Sequence, residues 1–336
     1  MTHPPLHSLV SSPERQRAAR RWPALLAGSA LAMGLAGSAH ALTFTVTFGT
    51  QGGVISEANK DVITNALSFY SSTFTDPINV ALEFHNDTAV YGQSSFSYYA
   101  PSYSDFRDKL LVDATSTNDA IALTKSVQVG ALAPVGSSST IGLKTANARA
   151  IGLNLAPATT GGKCFTGMFD GCIGLNFDVF GSNAITTAVA QHEINEVLGL
   201  GSGLPKSTSL PWVGDLFRWQ SVGVRSFSTN PGVPNTPCDA GTPAAYFSID
   251  GGTTLLNQFN NCTNGGDYGD WISHNPSQVQ DAFGSGGAMT RGGTETVALD
   301  VIGYTLAAAV PEPDSWALML TGLGATAWAA RRRQRG

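Results

Sequence analysis

Polar and apolar positions alternate across residues 42–48, with Phe44, Val46 and Phe48 on one side, and this period of two predicts a strand. Ser56 or Asn59 can cap the helix that follows, whose stripe Val62, Ala66, Phe69 and Tyr70 runs to about Phe74. Asp76-Pro77 ends that helix, residues 78–84 read as a strand, and residues 103–116 as a second helix. Strands are expected at 148–155 and 174–180. A helix over 184–198 follows, apolar at Ile185, Ala188, Val189, Val197 and Leu198, and Gly199, Gly201 and Gly203 stop it. The rest is loop-rich, with short strands at 245–249 and 253–256, a hairpin turn at Asp250-Gly251-Gly252, and a last helix over 295–302. No internal repeat is visible. Helix, strand, helix, strands and a further helix predict an α+β domain.

The two ends follow other rules. Arg15, Arg17, Arg20 and Arg21 precede an apolar run from Trp22 to about Gly37, and Ala39-His40-Ala41 offers small residues for cleavage. Residues 1–41 therefore read as a signal peptide, cut by signal peptidase. At the other end Val310-Pro311-Glu312-Pro313 leads into a run of roughly 16 apolar and small residues, then Arg331-Arg332-Arg333. A basic stop after an apolar run stays cytoplasmic. Residues 309–336 closely resemble the PEP-CTERM sorting tail of Gram-negative bacteria. That resemblance implies recognition by a membrane-embedded exosortase, a transient transmembrane anchor, and delivery to the cell envelope, surface or extracellular matrix. Residues 42–308 are left as the folded domain.

Composition narrows the function. Charged residues are 13% of the chain and the net charge is −5, with several arginines in the processed ends, so nothing basic remains to grip nucleic acid. Four cysteines, Cys164, Cys172, Cys238 and Cys262, all fall in the exported part. Export makes disulfides the expectation, paired locally as Cys164–Cys172 and Cys238–Cys262. The wide spacing argues against a cysteine zinc site.

The chemistry concentrates in His192-Glu193-Ile194-Asn195-Glu196. On a helix His192 and Glu196 share a face and can grip one metal ion, while Glu193 is placed as a general base. The string is the His-Glu-x-x-His zinc-protease pattern with its second imidazole replaced by a carboxylate. Only His85, His192 and His274 lie beyond the signal peptide, so oxygen must dominate any ligand set; His85 reads as a surface-turn residue. At the third-ligand position of one zincin pattern stands Ser202, a poor zinc ligand. Asp215, nineteen residues beyond Glu196, is the expected third ligand, with Asp250, Asp267, Asp270 and His274 as alternatives. Two carboxylates neutralise a dication and acidify water less than an imidazole-only set. Zinc is the expected ion, with manganese or calcium next.

Five ordered blocks carry a wider resemblance: residues 190–199 around the motif, Asp215-Leu216-Phe217-Arg218-Trp219, residues 246–252, residues 266–271, and Leu299-Asp300-Val301-Ile302-Gly303-Tyr304. They resemble a family of bacterial zincin-like metalloproteases that often carry PEP-CTERM tails and whose helix reads His-Glu-Ile-x-Glu-Val-Leu-Gly. The resemblance implies a zincin-like metallopeptidase domain, α+β with a small mixed sheet and a loop-rich C-terminal lobe, acting on polypeptides. In it the strand before the motif helix lines the cleft. Tyr268 or Tyr304 is a candidate oxyanion donor, Arg218 a candidate partner for Asp215 or Glu193, and Met289 reads as plain loop. The rival expectation is a non-catalytic surface or matrix binding protein that keeps the fold around a structural or vestigial metal.

Overall fold

The computed structural model of the chain describes residues 42–157, 168–207, 209–227, 245–261, 265–272, 276–284, 286–308 and 313–334. Residues 1–41, expected as a signal peptide, residues 309–312 with Pro311 and Glu312 of the box, Cys164, Cys238, Cys262 and His274 lie outside them.

The alternating segment forms β1 (Thr43–Phe48), and Ser56 caps α1 (Glu57–Thr73) through its hydroxyl. Next come β2 (Asn79–Asn86), β3 (Gly92–Phe96) and the short β4 (Tyr98–Tyr99). Helices α2 (Tyr103–Asp113) and α3 (Thr117–Lys125) follow, the latter opened by a capping box between Ser116 and Asp119. β5 (Leu143–Lys144) pairs with β4 and runs into α4 (Thr145–Ala150). β6 (Gly171–Leu175) then leads to α5 (Asn183–Leu198), the motif helix, capped by Ser182. The C-terminal part holds β7 (Arg218–Ser221), β8 (Val224–Arg225), β9 (Tyr246–Phe247), β10 (Asn257–Gln258), α6 (Thr294–Val301) and the tail helix α7 (Pro313–Arg333).

The main sheet has the order β1-β2-β6-β3, with β1, β2 and β6 parallel and β3 antiparallel at the edge. Val80, Leu82 and Phe84 of β2 point to one face, where α1 and α5 cover them. Tyr70 of α1 is fully buried, and its hydroxyl donates to Asn195 Oδ1 at 2.8 Å on α5. A second sheet, β10-β9-β7-β8, packs its aromatic side chains on Trp271, whose ring centroid lies 5.0 Å from Phe259 and 5.6 Å from Phe247. Residues 305–307 return to α1 through Thr75 N–H to Thr305 O and Ala307 N–H to Thr73 O, so the domain closes before the tail begins.

Several expectations need correction. Residues 148–150 are helical, not extended: Thr145-Ala-Asn-Ala-Arg-Ala favours helix, and Arg149 turns back to an ion pair with buried Asp170 at 2.8 Å. The strand expected at 174–180 starts at Gly171 and ends at Leu175, and the one expected at 253–256 forms instead at Asn257–Gln258. His85 is buried on β2, not in a surface turn. Asp250 does sit in the β9–β10 turn, accepting from the Ser248 and Thr254 hydroxyls. Cys172 is disulfide-bonded, and its partner is outside the described residues. No helix among the described residues is long and apolar enough to cross a membrane. The expected transmembrane span is not met by α7, where Thr321, Gly322, Gly324 and Thr326 interrupt the apolar side chains.

Acids gather where α6 meets the α2–α3 turn and the end of α1. Burial lifts Asp76 and Asp113 to about 7 and Asp300 to about 6, and the neighbouring acid charges add to it. Unfolded aspartates titrate near about 3.9. Carboxyls that hold protons more tightly when folded stabilise the fold fully below that value, and the contribution is lost as pH rises through 6 to 7. The thermal midpoint should therefore be higher at pH 5 than at pH 8 in scanning calorimetry, and Asp300→Asn should shrink the difference. Equal shifts in wild type and variant would exclude this origin.

Candidate metal centre

Helix α5 presents His192 and Glu196 to a cleft of about 620 Å³, bounded on one side by β3 and on the other by the turn carrying Asp267 and Asp270. Asp215 is not part of it. Its Oδ2 accepts the backbone N–H of Gly203 at 2.9 Å and of Trp212 at 2.8 Å, and its Oδ1 accepts the Ser202 hydroxyl. Those bonds cap the 3-10 turn Val213–Phe217 and tie it to the loop after α5, so the carboxylate is committed to the backbone. Asp270, one of the alternatives, is the acid that lies beside His192 and Glu196. His192, Glu196 and Asp270 each offer one ligand atom, all within 4.8 Å of one another.

Each of the three side chains is held by its other polar atom. His192 Nδ1 donates to Val279 O at 3.0 Å, which turns Nε2 toward Gln280 Nε2 at 3.3 Å and Asp270 Oδ2 at 3.6 Å. Glu196 Oε2 accepts the hydroxyl of Ser94 on β3, and Asp270 Oδ1 accepts Gln280 Nε2 at 2.9 Å. One imidazole nitrogen and two carboxylate oxygens, each oriented by a further hydrogen bond, fit a divalent cation.

A family model for the PEP-CTERM protein-sorting motif matches residues 309–333. The chain is thus exported and addressed to the cell surface, with exosortase sorting machinery as its partner. Comparison with curated proteins and with solved structures returns no match.

Electrostatics at the centre follow from burial. Burial opposes a charged imidazole, but Asp270, Glu193 and Glu196 outweigh it and lift His192 to about 9. Asp270 rises to about 7, driven by burial and resisted first by His192. Burial, then the Glu196 charge, pushes the Glu193 carboxyl well above its ordinary value. Lys144 is the buried cation nearby: it donates to Glu196 O and, at 2.7 Å, to Leu200 O, closing the end of α5, and sits 3.6 Å over the Phe96 ring. Burial lowers it to about 8 against the pull of the acids.

Close approaches need glycine in two places. A Cβ on Gly92 would lie 2.6 Å from both Glu193 Oε1 and Val189 Cγ1, so glycine lets β3 reach the helix. A Cβ on Gly269 would meet Gly201 Cα at 2.4 Å, so the Asp270 turn docks backbone to backbone on the loop after α5. Arg218 braces that turn: it donates to Tyr268 O and to Asn261 Oδ1 at 2.8 Å, and stacks 4.4 Å over Phe259. Its charge also favours ionised Asp215, as expected, though Glu193 is not its partner.

Neither tyrosine offers an oxyanion donor. Tyr304 is buried with its hydroxyl on Leu198 O at 2.7 Å, and Tyr268 is buried away from the cleft lining. Met289 is more than loop: it is buried beneath α5, with Asn195 Nδ2 3.5 Å from its sulfur. The strand that lines the cleft is β3, not β6, because β6 is paired on both sides and buried throughout. Ser94, Val279 and Gln280 carried no signal along the chain, since each acts through a tertiary contact.

Asp270→Ala should abolish stoichiometric metal binding measured by elemental analysis. Asp215→Ala should keep the metal and lower unfolding free energy by about 2–4 kcal/mol. Metal retained by Asp270→Ala and lost by Asp215→Ala would reverse the assignment.

Proposed function

We propose that the exported domain is a zinc-dependent endopeptidase of zincin-like fold. The observation that carries the reading is the meeting of Glu193 with the His192, Glu196 and Asp270 donor set in a cleft walled by an antiparallel edge strand. An extended polypeptide can lie along β3, adding a strand to the sheet with its carbonyl over the donor set. The ordered sequence blocks that resemble zincin-like metalloproteases support the same reading, and the sheet order brings the motif helix under the edge strand.

A divalent cation bound there supplies a Lewis acid for the peptide carbonyl and lowers the pKa of water. His192, Glu196 and Asp270 would hold it, and their imidazole and carboxylate chemistry suits zinc first and manganese next. Glu193 stands beside that set on the same helix, held out of solvent and close to β3. Its carboxylate takes a proton from water as the oxygen adds to the carbonyl carbon. It then delivers that proton to the amide nitrogen as the C–N bond breaks. Ser94 keeps Glu196 turned toward the cleft while β3 receives substrate, so one strand serves both tasks.

Glu193→Gln should lower kcat/KM on an unstructured protein substrate by at least about 100-fold with metal content unchanged. Equal cleavage by variant and wild type would sink the mechanism. Wild type that holds metal and cleaves nothing would favour a surface binding protein.

A further inference from the structure

Four buried side chains form a hydrogen-bond chain behind the metal centre. Tyr70 Oη faces Asn195 Oδ1 at 2.8 Å and Gln191 O at 3.0 Å, Asn195 Nδ2 donates to Gln280 Oε1 at 3.2 Å, and Gln280 Nε2 donates to Asp270 Oδ1 at 2.9 Å while lying 3.3 Å from His192 Nε2. Asp270 dictates the direction. An ionised carboxylate can only accept, so Gln280 must turn its nitrogen toward it, present its oxygen to Asn195, and oblige Asn195 to offer its own nitrogen. Asn195 and Gln280 are fully buried, and a flipped amide would leave acceptors facing each other. The Gln280 backbone is fixed as well, its N–H donating to Glu295 Oε1 at 3.2 Å.

We propose that Asn195 and Gln280 are positioning residues that make Asp270 a one-oxygen ligand and so set the site's preference for zinc over calcium. The proposal rests on the metal-centre reading above. With Oδ1 taken by Gln280, Asp270 has Oδ2, the oxygen facing His192 Nε2, for an ion. Ser94 does the same to Glu196 by occupying Oε2. Two single oxygens and one imidazole nitrogen make three donors, the number a four-coordinate zinc site with an open position uses. Calcium takes six to eight oxygens, often through two-oxygen carboxylates, and the amide chain withholds one of them. Asn195 occupies an apparently free position of the motif, yet its neighbours across the fold give it this task.

The test is zinc and calcium affinity, measured by chelator competition on purified full-length protein. Gln280→Leu should weaken zinc about 10–100-fold and leave calcium equal or tighter, narrowing the zinc-to-calcium ratio. Asn195→Leu should shift the ratio the same way by less, and the double variant should be no worse than Gln280→Leu alone, because one residue acts through the other. Should the leucine variant not fold by circular dichroism, Gln280→Glu keeps the side-chain length while removing the donor, and it too should narrow the ratio. An unchanged ratio in a folded Gln280 variant, or losses that add, would overturn the proposal. Zinc bound by wild type without peptide cleavage would count against the peptidase reading alone; wild type that binds no zinc would remove the metal centre and this proposal together.

Discussion

Burying like charges together is the constraint on which the rest of the structure depends. Glu193, Glu196 and Asp270 converge around one imidazole with little solvent to screen them. Such a cluster is unstable unless each charge finds a donor or a counter-ion. The fold supplies Ser94 to Glu196, Gln280 to Asp270, Val279 O to His192, and the Lys144 ammonium to the backbone at the end of α5. The divalent cation we propose would complete the neutralisation that these contacts begin.

Around that core, polar residues that look catalytic in sequence serve as mounts. Asp215 spends its carboxylate on the loop after α5, and Arg218 spends its guanidinium on the turn that delivers Asp270. A glycine has a use of the same kind, since Gly269 lets the Asp270 turn approach the backbone of Gly201 in the loop after α5. Stability and chemistry therefore share residues across a long stretch of chain.

The address is separate from the machine. Residues 305–307 hydrogen-bond back to the end of α1, so the domain is stitched shut before the sorting tail at 309–333 begins. Sorting can then act on the tail without drawing on contacts that hold the centre.

What the sequence determined by itself was local. Period-two and period-3.6 patterns located β1, α1, β2, α5 and α6, and the i, i+4 spacing of His192 and Glu196 put two candidate ligands on one face, because these features depend on neighbours within a turn or a strand. The sorting tail was legible for the same reason, being a linear signal. The strand expected at 148–155 was a misreading because short apolar runs carry both periods; residues 148–150 end the helix Thr145–Ala150, which the Arg149–Asp170 contact holds. The third member of the candidate donor set was beyond reach. Asp215 and Asp270 are alike as letters, and only tertiary contact separates them: backbone N–H groups consume one carboxylate, while the packing of Gly269 on Gly201 carries the other to His192.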